Sequence, residues 1–214
     1  MKTGILGGTF NPIHKAHLAI AEVSMRRCGL DRILFLPAAI PPHKEIAANV
    51  SFTHRMTMVA LATADTPEFI CSDLEAKRQG ASFSVDTLAQ LRDLYPGDEL
   101  YFIIGLDSFR DITTWKNYQR LFELSNIIVA GRPGPGAEAP EKLLPVAIKD
   151  DFCYDERSLK LRHKSGHQLI FIIETKFDIS STGVRKKVAE GLPIEAEVPT
   201  AVIDYIEQNN LYRE

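Results

Sequence analysis

The sequence predicts an α/β fold organised around a parallel sheet. Two observations carry that prediction. Short continuous apolar runs recur along the chain, at Ile5-Leu6, Ile33 to Leu36, Leu100 to Ile104, Asn126 to Ala130 and Leu169 to Ile173. Runs without alternation describe strands covered on both faces. Longer amphipathic stretches lie between them, and strand–helix alternation of this kind gives a parallel sheet.

The elements follow in order. Ile5-Leu6 opens as a short buried strand. Leu18, Ala21, Met25 and Cys28 fall on one face of a first helix, and Ile33 to Leu36 forms the second strand. Glu68 to Ser72 is a weaker strand. Val85, Leu88, Leu91 and Leu94 share a helical face ahead of the strand at Leu100. Trp115 to Leu124 is expected to be helical, starting at Trp115 behind Thr113-Thr114. A last helix covers Pro199 to Gln208, with Pro199 suited to its first turn and Asn209-Asn210 to its stop. Arg132-Pro133-Gly134-Pro135-Gly136 begins a loop or insertion, and no element is assigned from there to about residue 167. The expected organisation is one unit spanning residues 1–214, with an irregular segment near 135–167.

The chain has 214 residues, 45% of them hydrophobic and 25% charged, as in an ordinary globular protein. A formal charge of −3 argues against a general nucleic-acid surface, while leaving room for a local basic pocket. Cys28, Cys71 and Cys153 are far apart and have no metal-ligand spacing, so reduced thiols are expected. No apolar run approaches the roughly 20 residues that span a bilayer. The opening Met1 to Gly8 is too short and glycine-rich for a signal peptide. The expected location is the cytoplasm, with no membrane partner.

The most informative string is Gly7-Gly8-Thr9-Phe10-Asn11-Pro12-Ile13-His14-Lys15-Ala16-His17. A strand runs into two glycines, then a proline turn, then a helix. Glycine admits a bulky anion close to the backbone, and a helix N-terminus offers free N–H groups. His14 and His17 are three residues apart, so a helix starting near His14 projects both from one face. Two imidazoles placed there can donate to phosphate oxygens. Half of a metal site would also need a third ligand, and none is spaced for it.

A second string, Ile179-Ser180-Ser181-Thr182-Gly183-Val184-Arg185, opens another helix, with Ser181 or Thr182 as the expected cap. Its hydroxyls and Arg185 suit a triphosphate tail, because arginine makes forked, charge-assisted bonds to phosphate.

Together the two strings resemble the G-G-T-F-D-P-x-H-x-G-H and I-S-S-T-x-I-R signatures of the nucleotidyltransferase superfamily. Asn11 stands where aspartate is commoner, and Ala16 where glycine is. Asn11 removes a carboxylate and is given no metal-ligand role. The resemblance implies a Rossmann-like doubly wound parallel sheet of nucleotidyltransferase type, with the site at the C-terminal strand ends.

Further segments resemble one family within it, the bacterial nicotinate-nucleotide adenylyltransferases. Pro37-Ala38-Ala39-Ile40-Pro41-Pro42-His43-Lys44 is similar to its P-x-x-x-P-P-H-K segment. Physically it is a rigid loop delivering His43 and Lys44 to the C-terminal edge of a strand, where α/β sheets bind ligands. Ser82 to Leu88 resembles S-Y-T-x-D-T-L, placing Ser84 at the pyridine pocket. Phe102 to Ser108, with Trp115, resembles F-I-I-G-x-D-S…W and brings in Asp107 and the chain's only tryptophan. Ring stacking by Trp115 is what that resemblance implies. The strand ending in Arg132-Pro133-Gly134 is similar to a phosphate-contacting R-P-G. The remaining histidines, His54, His163 and His167, receive no role.

The activity so implied is transfer of AMP from ATP to nicotinate mononucleotide, giving nicotinate adenine dinucleotide and pyrophosphate in NAD biosynthesis. His14, His17, Lys44 and Arg185 are then the catalytic candidates. Gly7, Gly8, Thr9, Phe10, Ser181 and Thr182 would bind ATP. His43, Ser84, Asp107, Trp115 and Arg132 would bind the acceptor. Mg2+ is expected to be held mainly by substrate phosphates and water, with no clear protein ligand. Alternatives are an adenylyltransferase for nicotinamide mononucleotide or phosphopantetheine, and a non-catalytic nucleotide-binding regulator.

Overall fold

A computed structural model describes residues 1–42, 50–131, 140–155, 160–172 and 179–213. The strands are β1 (Lys2–Gly8), β2 (Arg32–Pro37), β3 (Phe69–Cys71), β4 (Glu99–Gly105), β5 (Asn126–Ala130), β6 (Phe152–Asp155), β7 (Lys160–His163) and β8 (Gln168–Ile172). The helices are α1 (Lys15–Cys28), α2 (Phe52–Thr63), α3 (Ser84–Leu94), α4 (Leu106–Arg110), α5 (Tyr118–Leu124), α6 (Ser181–Ala189) and α7 (Thr200–Gln208).

The strands form one sheet in the order β3-β2-β1-β4-β5-β8-β7-β6. All pairs from β3 through β8 are parallel, and β6 and β7 extend the edge antiparallel. The chain winds outward from β1 through β2 to β3, then returns to lay β4 on the other side of β1. The direction of winding reverses between β1 and β4, a switch point beyond whose strand ends open α/β sheets form their ligand crevice.

The continuous apolar runs have a direct cause. Successive strand residues face opposite sides, and both sides are covered. Leu6, Ile33, Phe35, Ile103 and Ile128 pack on one side with Ala21 of α1, Met58 and Val59 of α2 and Val202 of α7. Ile5, Leu34, Phe102, Ile104 and Ile127 pack on the other with Leu88 of α3, Phe109 of α4 and Leu121 of α5. Helix α1 ends at Gly29, whose left-handed backbone (φ 61°) suits a residue without a side chain.

Two sequence expectations change. Trp115 does not begin a helix. It follows a 3-10 turn at Ile112–Thr114 in extended conformation, and α5 starts only at Tyr118. The turn tightens because Thr114 Oγ1 donates to the carbonyl of Asp111 (2.7 Å), bending the chain before α5 can start. The unassigned segment contains the β6–β7 hairpin, whose register pairs Phe152 with His163 and Asp155 with Lys160. Phe122, Phe152 and His163 pack their rings together beneath it.

Candidate active site

Strand β1 delivers the site to the crevice. Gly7 is exposed at its end, and a Cβ added there would meet no atom of the other described residues within 4 Å. A Cβ on Gly8 would stand 3.1 Å from the Phe10 ring. The chain then turns sharply. Phe10 has left-handed backbone (φ 48°) and a buried side chain, edge-on to His17 at 5.0 Å and tilted against Phe35 at 6.1 Å. The Asn11–Pro12 peptide is cis.

His14 caps α1, and the two imidazoles stack with centroids 3.7 Å apart. The backbone N–H of His14 donates to Nδ1 of His17 (3.2 Å). A neutral His17 therefore carries its proton on Nε2, as a donor. Burial pushes His14 down to about 4. Burial, and then the neighbouring His14, hold His17 well below the usual histidine range. Both rings are neutral at pH 7.

The second signature closes onto this turn. Arg185 Nη1 donates to the carbonyl of Asn11 (2.8 Å), and Nη2 to Thr182 Oγ1 (3.1 Å). Ser181 Oγ donates to the carbonyl of Pro12 (2.9 Å). The cap of α6 is Ser180, not Ser181 or Thr182. Its backbone is extended (φ −128°, ψ 144°) and its hydroxyl accepts from the N–H of Gly183, whereas Ser181 is already helical. From farther down the chain, the Tyr212 hydroxyl donates to Asn11 Oδ1 (2.7 Å).

The proline loop after β2 is tied to the same crevice. Ala38 N–H donates to the carbonyl of Gly8 (2.9 Å), and the N–H groups of Ala39 and Ile40 donate to Ser82 Oγ (3.0 and 3.2 Å). His43, Lys44 and Arg132 lie outside the described residues.

Ser84 is the first residue of α3, and Asp107 projects almost fully exposed just beyond β4. Trp115 is half-buried and edge-on to Phe102 at 6.3 Å. Lys116 Nζ pairs with Asp86 Oδ2 at 2.9 Å and lies 4.6 Å from the Phe83 ring centroid. That pair brings the Ser84 and Trp115 segments together.

Sequence reasoning passed over Arg55, Tyr212, Ser82 and Lys116. Arg55 left one readable signal: it lies three and four residues before Met58 and Val59, on the apolar face of α2. Among the described residues, no group of three His, Cys, Asp or Glu side chains could hold a metal ion. No described helix is long and apolar enough to cross a membrane.

A parallel doubly wound sheet whose β1 turn carries stacked histidines and is clasped by the arginine of a late helix defines a nucleotidyltransferase. A family model described as cytidylyltransferase-like matches residues 5–187. A "probable nicotinate-nucleotide adenylyltransferase" of Syntrophotalea carbinolica is 57% identical over 213 residues, covering 100% of this chain and 98% of its own. One of the same name from Geotalea daltonii is 50% identical, covering 100% of this chain and 99% of its own. Among solved structures, Plasmodium falciparum nicotinic acid mononucleotide adenylyltransferase complexed with NaAD shares the fold. Its TM-score is 0.76 at 22% identity, over 99% of this chain and 98% of that one. The chain belongs to the cytidylyltransferase-like nucleotidyltransferases, and within them to the nicotinate-nucleotide adenylyltransferase family.

Proposed function

We propose that this chain transfers the adenylyl group of ATP to nicotinate mononucleotide, releasing pyrophosphate and forming nicotinate adenine dinucleotide for NAD biosynthesis. The observation that carries the reading is the joining of both phosphate-handling signatures at one turn, through Arg185 and Ser181 on Asn11 and Pro12.

The acceptor's phosphate monoester attacks the α-phosphorus in line. A P–O bond forms to the acceptor, and the bond to pyrophosphate breaks. The nucleophile is already largely ionised near pH 7, its second pKa being about 6, so no side chain has to remove a proton. The protein's task is to position the phosphates and stabilise charge. His17 donates Nε2–H to the α-phosphate, and His14 supports its ring from below. Gly7 and Gly8 leave the crevice floor open, and Thr9 and Phe10 shape the nucleotide side. Arg185, Ser181 and Thr182 hold the β- and γ-phosphates, with the Arg185 fork anchored by one arm on Asn11. Lys44 bridges the acceptor phosphate and developing charge, joined by His43 and Arg132. Ser84, Asp107 and Trp115 take the pyridine end.

Nucleotidyltransferases generally work with a divalent metal. Asn11 offers no carboxylate here, and its Oδ1 already accepts from Tyr212. That donor set fits Mg2+ carried on the phosphates and water, supplying charge neutralisation. Cys28, Cys71 and Cys153 are all unpaired, which suits a reducing compartment, and we assign the chain to the cytoplasm. Residues 1–214 act as one nucleotidyltransferase unit.

The test is pyrophosphate release with ATP and Mg2+, comparing nicotinate mononucleotide, nicotinamide mononucleotide and phosphopantetheine. The expected result is a strong preference for nicotinate mononucleotide. Preference for either other acceptor, or ATP binding without release, overturns the assignment.

A further inference from the structure

Arg55 on α2 is fully buried. Its Nη1 donates to the carbonyl of Thr9 (2.8 Å), and Nη2 reaches the carbonyl of Ala39 at 3.5 Å. Its Nε is buried with no hydrogen-bond partner. Among the described residues no carboxylate pairs with it, and the Phe52 ring lies 5.6 Å away. A buried guanidinium without a counter-ion is costly, and a fold built for stability alone would pair it or replace it. Arg55 has no stabilising anion within the described protein, yet it stands directly behind the turn read above as the phosphate site.

The geometry of one peptide links the two. The Thr9–Phe10 peptide is trans, with its C=O and N–H pointing in opposite directions. The Thr9 carbonyl is pinned inward on Arg55, so the N–H of Phe10 is turned outward. No described residue accepts from that N–H. The peptide relays the buried charge as a donor aimed away from the core, at the turn between the two glycines and the histidines. The left-handed Phe10 backbone is a conformation that needs such an external hold.

We infer that Arg55 is a positioning residue whose counter-charge is the phosphate chain of the bound nucleotide: it fixes the Thr9–Phe10 peptide so that the Phe10 N–H meets a phosphate oxygen. This rests on the reading above that the turn binds phosphates. The guanidinium acts through the peptide and does not touch substrate.

The test is calorimetric titration of the full chain with inorganic pyrophosphate, for wild type, R55K and R55M, with thermal melts of each protein alone. The expected result is graded. Pyrophosphate affinity falls about tenfold or more in R55M and less in R55K, which keeps the charge but not the fork. In both variants kcat/KM for ATP falls in the same order. A folded R55M with wild-type pyrophosphate affinity overturns the inference, since a purely structural arginine changes the melt and not the affinity. If R55M does not melt cooperatively, wild type decides. The 15N resonance of Arg55 Nε, assigned by its loss in R55K, must shift when pyrophosphate saturates the site, and an unmoved resonance overturns the inference. Failure of the broader reading is separable, because it shows as absent turnover in wild type.

Discussion

Arg185 Nη1 lies 2.8 Å from the carbonyl oxygen of Asn11, a bond across 174 residues of sequence. The bond fixes the turn that presents the histidines, and on the proposed function the same guanidinium also holds phosphates. Replacing Arg185 by lysine keeps the charge but cannot span Asn11 and Thr182 together. We expect kcat to fall about 10²-fold or more, the scale of losing one preorganised charge-stabilising donor, with KM for the pyridine nucleotide little changed. Steady-state kinetics with each substrate varied will check this.

His17 has its Nδ1 occupied by the His14 N–H, leaving Nε2 as the nitrogen that donates. His17→Ala should lower kcat about 10²- to 10³-fold, while circular dichroism and the melting temperature stay near wild type. Near-normal turnover in a folded variant would remove the assigned role.

The depressed His14 has a consequence for stability. In the unfolded chain histidine titrates near 6.5, whereas in the fold His14 resists protonation until about 4. As pH falls from 6.5, the unfolded chain takes up a proton that the folded one refuses. Stability is full above 6.5 and is lost through that window, by on the order of 3 kcal/mol for this residue. His17 adds in the same direction. Urea denaturation at pH 7.5, 5.5 and 4.5 should show a steeper decline for wild type than for His14→Gln, and parallel curves would contradict the assignment.

Tyr212 is buried and its hydroxyl holds Asn11 Oδ1. Burial also pushes its phenol above the usual tyrosine range, so it remains a donor throughout the neutral range. Tyr212→Phe removes that hydrogen bond, at a cost of about 0.5–1.5 kcal/mol. Asn11→Asp keeps an acceptor in place and should be milder than Asn11→Ala. Denaturant midpoints of the three variants will rank them.

Gly7 tests the crevice from a different direction. It is exposed, its added Cβ would touch nothing among the described residues, and its backbone needs no positive φ. Gly7→Val should leave the melting temperature close to wild type and raise KM for ATP about tenfold. An unchanged KM would mean that nothing passes that close to β1.

The sheet was readable because its central strands are apolar on both faces, as Ile5 and Leu6 show by entering opposite cores. Helix α2 was not, because its inward face carries Arg55 beside Met58. The β6–β7 hairpin escaped because its strands are only four residues each, and Lys160, Arg162 and His163 interrupt any apolar run in β7. At the site, the histidine pair and Arg185 announce themselves by local spacing. Arg55 and Tyr212 do not, since their partners Thr9 and Asn11 lie 46 and 201 residues away. The α6 cap was expected at Ser181 or Thr182, one or two residues late, because consecutive hydroxyl residues are equal candidates until the backbone selects the extended one, Ser180.

The clasp on the β1 turn has a temporal side. The turn leaves the ribosome well before its partners, since Ser181, Arg185 and Tyr212 follow it by 169 to 201 residues. A nascent chain therefore carries glycines and histidines long before it owns the side chains that clasp their turn. Stalled or truncated products ending before α6 would have the signature and no competence, so half-made protein would not draw on the nucleotide pool.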